Sequence, residues 1–315
     1  MELSAKLQAR VQLYEHIRAY FTGQRVTEVF TPHLSYAANP DPAIESFKVD
    51  SCRAEDRPMF LQTSPEFFMK RLLVQGSGSI FQICSAFRHG ESGRLHNPEF
   101  AMLEWYRVGF DYFQLMDDVI GLVSAVSGNK PAYRMVRYAE LFEPYGLNPL
   151  TDSDEKIEST ALQQGIDVQS AVKLGRDDWL DLFMTHVIEP GFDPAQMLFV
   201  HDFPASQASL AQVETTAGGA RIAQRFELYW HGMELANGFT ELRDADEQLH
   251  RFEEQNRIRK RLGLKSLPLD QKFLTALKQG LPECSGVALG LDRLLMIITG
   301  SKRISEVLCF ADSEV

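Results

Sequence analysis

The sequence predicts an α+β fold in which an antiparallel sheet is flanked by helices. Three observations carry that reading. Strand-like segments outnumber clean strand–helix–strand units, which argues against a doubly wound parallel sheet. Two long ones, "SIFQICSAFR" and "EFAMLEWYRVGF", are joined only by the polar loop "HGESGRLHNP", so they read as partners. The chain has no internal repeat and no low-complexity linker, so one domain spanning residues 1–315, with embellishments, is expected.

Each element has a local reason. Leu3, Leu7, Val11, Tyr14, Ile17 and Phe21 recur at steps of three and four, a helix with one apolar stripe that ends near Gly23. "VTEVFTP" reads as a short strand stopped by Pro32, and residues 35–58, rich in Pro, Asp and Asn, as an extended loop. "MFLQTS" reads as a strand. "SPEFFMKRLLVQG" is a helix with Ser64 as cap, Pro65 in the first turn, Glu66 at the positive end of the dipole and Gly76 closing it. "DYFQLMDDVIGLVSAVSG" is a further helix, with Asp111 as its cap. Residues 131–195 carry helical patches and turn signals and read as a mainly helical insert. "MLFVHDFP" and "RFELYWHGMELANGF" read as strands, and "DADEQLHRFEEQNRIRKRLG" as a charged, exposed helix ending at Gly263. The finish alternates helix (270–279), strand (284–290), helix (291–299) and a short strand.

Composition narrows the function classes. A hydrophobic content of 44% with 24% charged residues supports a sizeable core. The net charge of −11 argues against non-specific nucleic-acid binding through a broad basic surface. Cys52, Cys84, Cys284 and Cys309 form no Cys-x-x-Cys pair, so they read as reduced thiols of a cytoplasmic protein rather than a zinc or dithiol motif. The N-terminal stretch is charged throughout and lacks a signal peptide's apolar run. "LLMII" is too short to span a bilayer.

Three stretches bear chemistry. In "FRHGESGRLHNPEFAMLEWYR", Arg88 closes an apolar strand and could fork onto a phosphate, or simply pair with Glu91 or Glu104. In "RFELYWHGMELANGFTEL", Glu227 and Glu234 are seven residues apart, an odd separation that alternates faces on a strand. A turn or bulge at His231-Gly232 would let them converge, to hold Mg²⁺ beside phosphates or to receive a substrate ammonium. In "GVALGLDRLLMI", Gly286 and Gly290 bracket a strand, and Arg293 opens a helix whose free N–H groups favour an anion.

In this order, a strand ending in Pro32, then "FRHGE…HNPEF…LE", then "GVALGLDR" resemble motifs one, two and three of the class II aminoacyl-tRNA synthetase catalytic domain. "TSPEFFMKRLL", "RLHNPEFAMLEWY" and "QRFELYWHGMELANGF" are similar in wording to lysyl-tRNA synthetases, and the resemblance runs from about residue 5 to 312. It implies the family's antiparallel sheet, a homodimer formed through motif one around residues 10–32, and activation of an amino-acid carboxylate with ATP and Mg²⁺. By resemblance, Arg88 and Arg293 are catalytic, holding the α- and γ-phosphate. Arg88, His89, Gly90, Glu91, Asn97, Phe100, Glu234, Leu235, Gly290 and Arg293 would surround ATP, with Asn97 and Phe100 on the adenine. Glu227 and Glu234 would carry the metal. Ser64, Pro65, Glu66, Tyr106, Asn237, Glu241 and Ala288 would bind the substrate, Glu66 and Glu241 receiving the two ammonium groups of a lysine-like molecule.

Three departures stand out. The anticodon-binding domain of lysyl-tRNA synthetases is missing. Ala288 stands where they usually show glycine, which would reshape the amino-acid pocket. Gly90 stands where an acid usually follows motif two's arginine, with Glu91 next. The first two departures, with "FPASQASLAQ" and "CSGVALGLDR", look like short paralogues that pass an (R)-β-lysyl adenylate not to tRNA but to the ε-amine of one lysine on elongation factor P. The competing expectations are a truncated enzyme charging RNA with α-lysine, and a catalytically silent synthetase-like module. Arg88, Arg293 and the two metal-site glutamates are present, which counts against the silent module.

Overall fold

A computed structural model describes residues 2–50, 57–168 and 174–315, so Cys52 lies outside the described residues. The chain forms two compact units, Met1–Lys130 with Arg243–Val315, and Pro131–Leu242. In chain order the first unit opens with α1 (Leu3–Gly23), β1 (Thr27–Glu28), β2 (Leu34–Ser35), β3 (Lys48–Val49), β4 (Met59–Leu61), α2 (Glu66–Val74), β5 (Ile80–Phe87), β6 (Glu99–Val108) and α3 (Tyr112–Ser127). The second unit carries β7 (Tyr133–Arg137), α4 (Tyr138–Phe142), α5 (Asp154–Gln163), α6 (Arg176–Phe183), β8 (Met197–Pro204), β9 (Val213–Thr215), β10 (Arg221–Trp230) and β11 (Met233–Thr240). The first unit then resumes with α7 (Ala245–Arg261), α8 (Gln271–Gly280), β12 (Cys284–Gly290) and α9 (Leu291–Thr299).

In the first unit β5, β6 and β12 run antiparallel in that order, and β1 pairs parallel to β5. The helix α1 lays Leu13, Ile17 and Phe21 onto this sheet. Phe21 stacks on Phe81 at 4.5 Å and meets Trp105 edge-on at 5.5 Å; each such aromatic burial is worth roughly 1.5–3 kcal/mol. The buried Asp118 of α3 ties the layers together, accepting from Tyr20 Oη at 2.7 Å and from Trp105 Nε1 at 3.1 Å. Asp111 caps α3 as expected, in a reciprocal capping box with Gln114. At the other end of the sheet Asp292, 2% exposed, accepts from Arg10 at 2.6 Å and from the Ala101 N–H at 2.7 Å, which pins α9 against β6. The second unit's sheet runs β11-β10-β8-β7, with β9 on β10; only the β7–β8 pairing is parallel.

Several elements differ from expectation. The apolar stripe of α1 is only half used, because Leu3, Leu7 and Val11 stay exposed. Only Thr27 and Glu28 of "VTEVFTP" pair as a strand. The stretch 35–58 is not wholly loop: β2 and β3 flank β4 in a small antiparallel sheet. The insert opens with a strand, β7, before its helices. The closing short strand is absent among the described residues, which form 3₁₀ turns at Ile304–Glu306 and Asp312–Glu314. There the Glu306 carboxylate accepts the Lys302 and Arg303 N–H groups, satisfying locally what a strand would have paired across a ladder.

Candidate active site

The first unit gathers acids and hydroxyls around one strand. Glu104, 3% exposed, sits mid-β6, opposite Gln82 on β5 and Ala288 on β12. Directly paired residues share a sheet face, so these three side chains stand side by side. Glu104 accepts from Ser64 Oγ and from Tyr106 Oη, each at 2.6 Å. Ser64 Oγ also accepts from the Glu66 N–H at 3.1 Å, but Pro65 and not Ser64 stands at the N-cap of α2, so the expected cap lies one residue further out. Glu66 in turn takes the ammonium of Lys70, one turn along α2, at 2.6 Å. Burial, then the charge of Glu66, pushes Glu104 from the ordinary 4.5 up to about 7, against the opposing donors Ser64 and Tyr106 and the cation Lys70. Gln82 is buried, and its Oε1 has no hydrogen-bond partner among the described residues. Ser64 and Glu66 also line an open pocket with Ser35, Ala38, Ser46 and Gln62.

The same unit places two arginines. Arg88 leaves the end of β5, lies over the Phe100 ring at 5.1 Å and approaches Glu91 at 3.7 Å. Its Nε is buried and makes no hydrogen bond among the described residues. The His89 N–H donates to the Glu45 carbonyl at 2.8 Å and its ring meets Phe47 edge-on. Gly90 has φ +84°, a conformation L side chains rarely adopt, so the turn itself selects glycine where the resemblance implies an acid. Arg293, in the first turn of α9, donates to His96 Nε2 at 2.7 Å, which makes that imidazole an acceptor. Asn97 donates to the Glu99 carbonyl and accepts from the Asp312 N–H, at 2.7 and 2.9 Å. Gly290 has an ordinary φ of −73°, and a Cβ there would meet nothing closer than Arg293 at 3.7 Å. Neither backbone nor packing within the chain demands glycine at that position.

The second unit gathers acids on the β10–β11 hairpin. His231 and Gly232, with φ of +52° and +71°, form its two-residue turn. A register shift beyond Leu228 makes Leu235 an extra residue, so that Glu227 pairs with Asn237 and Tyr229 with Glu234. The turn alone pairs Tyr229 with Glu234, and Glu227 shares the face of Tyr229 two positions along β10, so the turn brings the two glutamates to one face; the bulge adds Asn237 by setting it opposite Glu227. Glu227 is held by Arg225 and by Tyr229 Oη, the latter at 2.6 Å. Burial raises its carboxyl above the ordinary range; Arg225 opposes this and Glu234 adds to it. Glu189 is pushed up to about 7 by burial and then by Glu227 and Glu234. Asn237 is engaged by Arg225 Nε at 3.2 Å, and Glu241 is fully buried, its carbonyl accepting from Gln212.

The structure thus brings Ser64, Pro65, Glu66, Tyr106 and Ala288 into one cluster, Arg88 with Glu91 and Phe100 into another, and Glu227 with Glu234 into a third. Sequence reading passed over Lys70, Gln82, Arg225 and Glu189, and saw Glu104 only as one charge among several. The Glu66–Lys70 spacing of four within a recognised helix was the one available signal. Among the described residues no three acids, histidines or cysteines are placed to hold a metal ion by themselves. Two carboxylates whose proximity raises a proton affinity still suit Mg²⁺, which completes its shell with phosphate oxygens and water.

The family model for "tRNA synthetases class II (D, K and N)" matches residues 1–314. The chain belongs to this class II tRNA synthetase family. Among curated relatives, a Pseudoalteromonas translucida protein is 46% identical over 310 residues, covering 97% of this chain and 95% of the relative. Proteins of Vibrio atlanticus and Pasteurella multocida are each 43% identical over 308 residues, covering 97% and 96% of this chain and 95% and 94% of the relatives. All three carry one name, elongation factor P--(R)-beta-lysine ligase.

Proposed function

We propose that the chain activates (R)-β-lysine with ATP and transfers it to the ε-amine of a lysine on elongation factor P. The observation that carries this reading is the acid cluster on β6: Glu104, bonded to Ser64 and Tyr106 and in register with an alanine, Ala288, stands beside Glu66, which lines a pocket with Ser64. The shared name of the relatives supplies the acceptor.

In the first step a carboxylate oxygen of the amino acid attacks the α-phosphorus, the bond to the bridging oxygen breaks and pyrophosphate leaves. Arg88 answers the charge on the α-phosphate: its buried Nε makes no hydrogen bond among the described residues, so it can donate to a phosphate oxygen. Arg293, at the N-terminus of α9, serves the γ-phosphate. Phe100 under Arg88, with Asn97 and the bare surface of Gly290, suits the adenine. Glu227 and Glu234 would hold Mg²⁺, which when bound neutralises phosphate charge. Glu66 and Glu241 would receive the two ammonium groups, so the substrate is positioned by charge at both ends. In the second step the deprotonated ε-amine attacks the adenylate carbonyl, AMP leaves and an amide forms with loss of one proton.

The exposed Leu3, Leu7, Val11 and Phe30 support a homodimer through motif one, to be checked by sedimentation. No helix among the described residues is long and apolar enough to cross a membrane, and we place the reaction in the cytoplasm. ATP–pyrophosphate exchange with (R)-β-lysine and α-lysine, followed by transfer to elongation factor P and to tRNA side by side, tests the whole reading. Exchange favouring (R)-β-lysine and label on elongation factor P are expected; label on tRNA alone would overturn it in favour of an RNA-charging enzyme.

A further inference from the structure

We infer that Lys70 is a positioning residue for substrate recognition: by holding one oxygen of Glu66, it presents the other to an ammonium group of the diamine. This rests on the activity proposed above. Lys70 is fully buried, and its Nζ lies 2.6 Å from Glu66 Oε1. Glu66 itself keeps a partly open side chain, 13% exposed, and lines the pocket beside Ser64. The lysine therefore approaches the carboxylate from the protein side, while the pocket lies on the other.

The plain alternative is a helix-stabilising pair at spacing i, i+4. Such pairs are worth only a few tenths of a kcal/mol at the surface, and a buried ion pair is often matched or bettered in stability by apolar residues. Folding alone is thus a weak reason for a buried ammonium here. Its charge has a clearer task. Glu66 and Glu104 stand close enough to raise the proton affinity of Glu104, and Lys70 is the cation that offsets them. The groups facing Glu104 include Glu66 and Lys70 from α2, Ser64 just before that helix, Tyr106 on its own strand and Cys84 on β5. Without Lys70, Glu66 would lose the partner that fixes one of its oxygens and, with it, the orientation that turns the other toward the substrate amine.

The test uses the full chain with Lys70→Met, and Lys70→Gln as second variant, both checked by thermal melting. Exchange kinetics give KM for (R)-β-lysine and for ATP. Two mono-amines that each lack one ammonium group, 6-aminohexanoate and 3-aminohexanoate, are measured as competitive inhibitors. The expected result is a rise of about 10- to 100-fold in KM for the diamine, the size of a lost charge-assisted hydrogen bond. The KM for ATP should hold, and only the mono-amine that reaches Glu66 should lose affinity in step. Equal weakening of both mono-amines and of ATP would show general damage and overturn the inference, as would no change in any of them, or failure of both variants to fold. Wild-type protein that does not activate the diamine at all would instead refute the proposed function.

Discussion

The two acidic clusters differ in what balances them. In the first unit Glu66 and Glu104 are met by a buried lysine and two hydroxyl donors, Ser64 and Tyr106. In the second, Arg225 and Tyr229 attend Glu227, while Glu234 and Glu189 add negative potential beside it. Both arrangements lift a carboxyl to about 7, Glu104 in one and Glu189 in the other, with burial as the first cause in each. The lesson is that burial sets the shift in both, whereas the counter-charges differ, and under the proposed function that difference is what separates their ligands. A cluster nearly balanced by its own cation has room for a single ammonium. A cluster with excess acid suits a divalent ion.

The largest effect expected from this contrast is at Glu227. Glu227→Gln should lower exchange by about 10²-fold or more and raise the Mg²⁺ concentration needed, leaving KM for the amino acid unchanged. A pure amino-acid KM defect would dissolve the distinction between the clusters. Next comes Ala288→Gly, which should shift preference toward α-lysine by about tenfold, the scale of one methyl in a pocket. Unchanged selectivity would show that the neighbour of Glu104 does not discriminate.

The third effect is on stability. Because Glu104 is raised from 4.5 to about 7, the folded state binds its proton more tightly than the unfolded state. Its stabilising protonated form is fully present below about 4.5, and the advantage is lost as pH rises through about 7. Ligand-free protein should show a melting temperature that falls across that window, and Glu104→Gln should flatten the fall; a parallel curve would assign the pH dependence elsewhere. The smallest effect is at Glu91, whose 3.7 Å approach to Arg88 is a loose, partly exposed pairing. Glu91→Gln should alter ATP affinity by no more than about fivefold, within what such surface pairs are worth.

Local features were legible in the sequence. The β5–β6 hairpin, the capped α3 and the His231-Gly232 turn all announce themselves through short-range chemistry. What escaped depends on long-range neighbours or on counting register. Glu104 gains its meaning from Ser64, forty positions earlier in the chain, and from β12, far later. The bulge that sets Asn237 opposite Glu227 makes an extra residue of Leu235, an apolar residue with no signal of its own. β7 hid because "YRMVR" alternates charge with apolar residues over only five positions, too few to outweigh the helical pattern that follows. Glu189 lay in a stretch with no recognisable motif, and only folding places it near the hairpin acids.

Gly90 bears on how such a chain changes over generations. A side chain there would meet nothing within 4 Å, so space does not forbid one; the obstacle is the backbone, at φ +84°. A single substitution that places an acid there would add strain of about 1 kcal/mol or more before any new contact forms. Aspartate, which tolerates that region best, is the only low-barrier step back, and a glutamate would first require the loop to refold. The turn therefore narrows what a single mutation can place here: aspartate fits the backbone as it stands, and a glutamate does not.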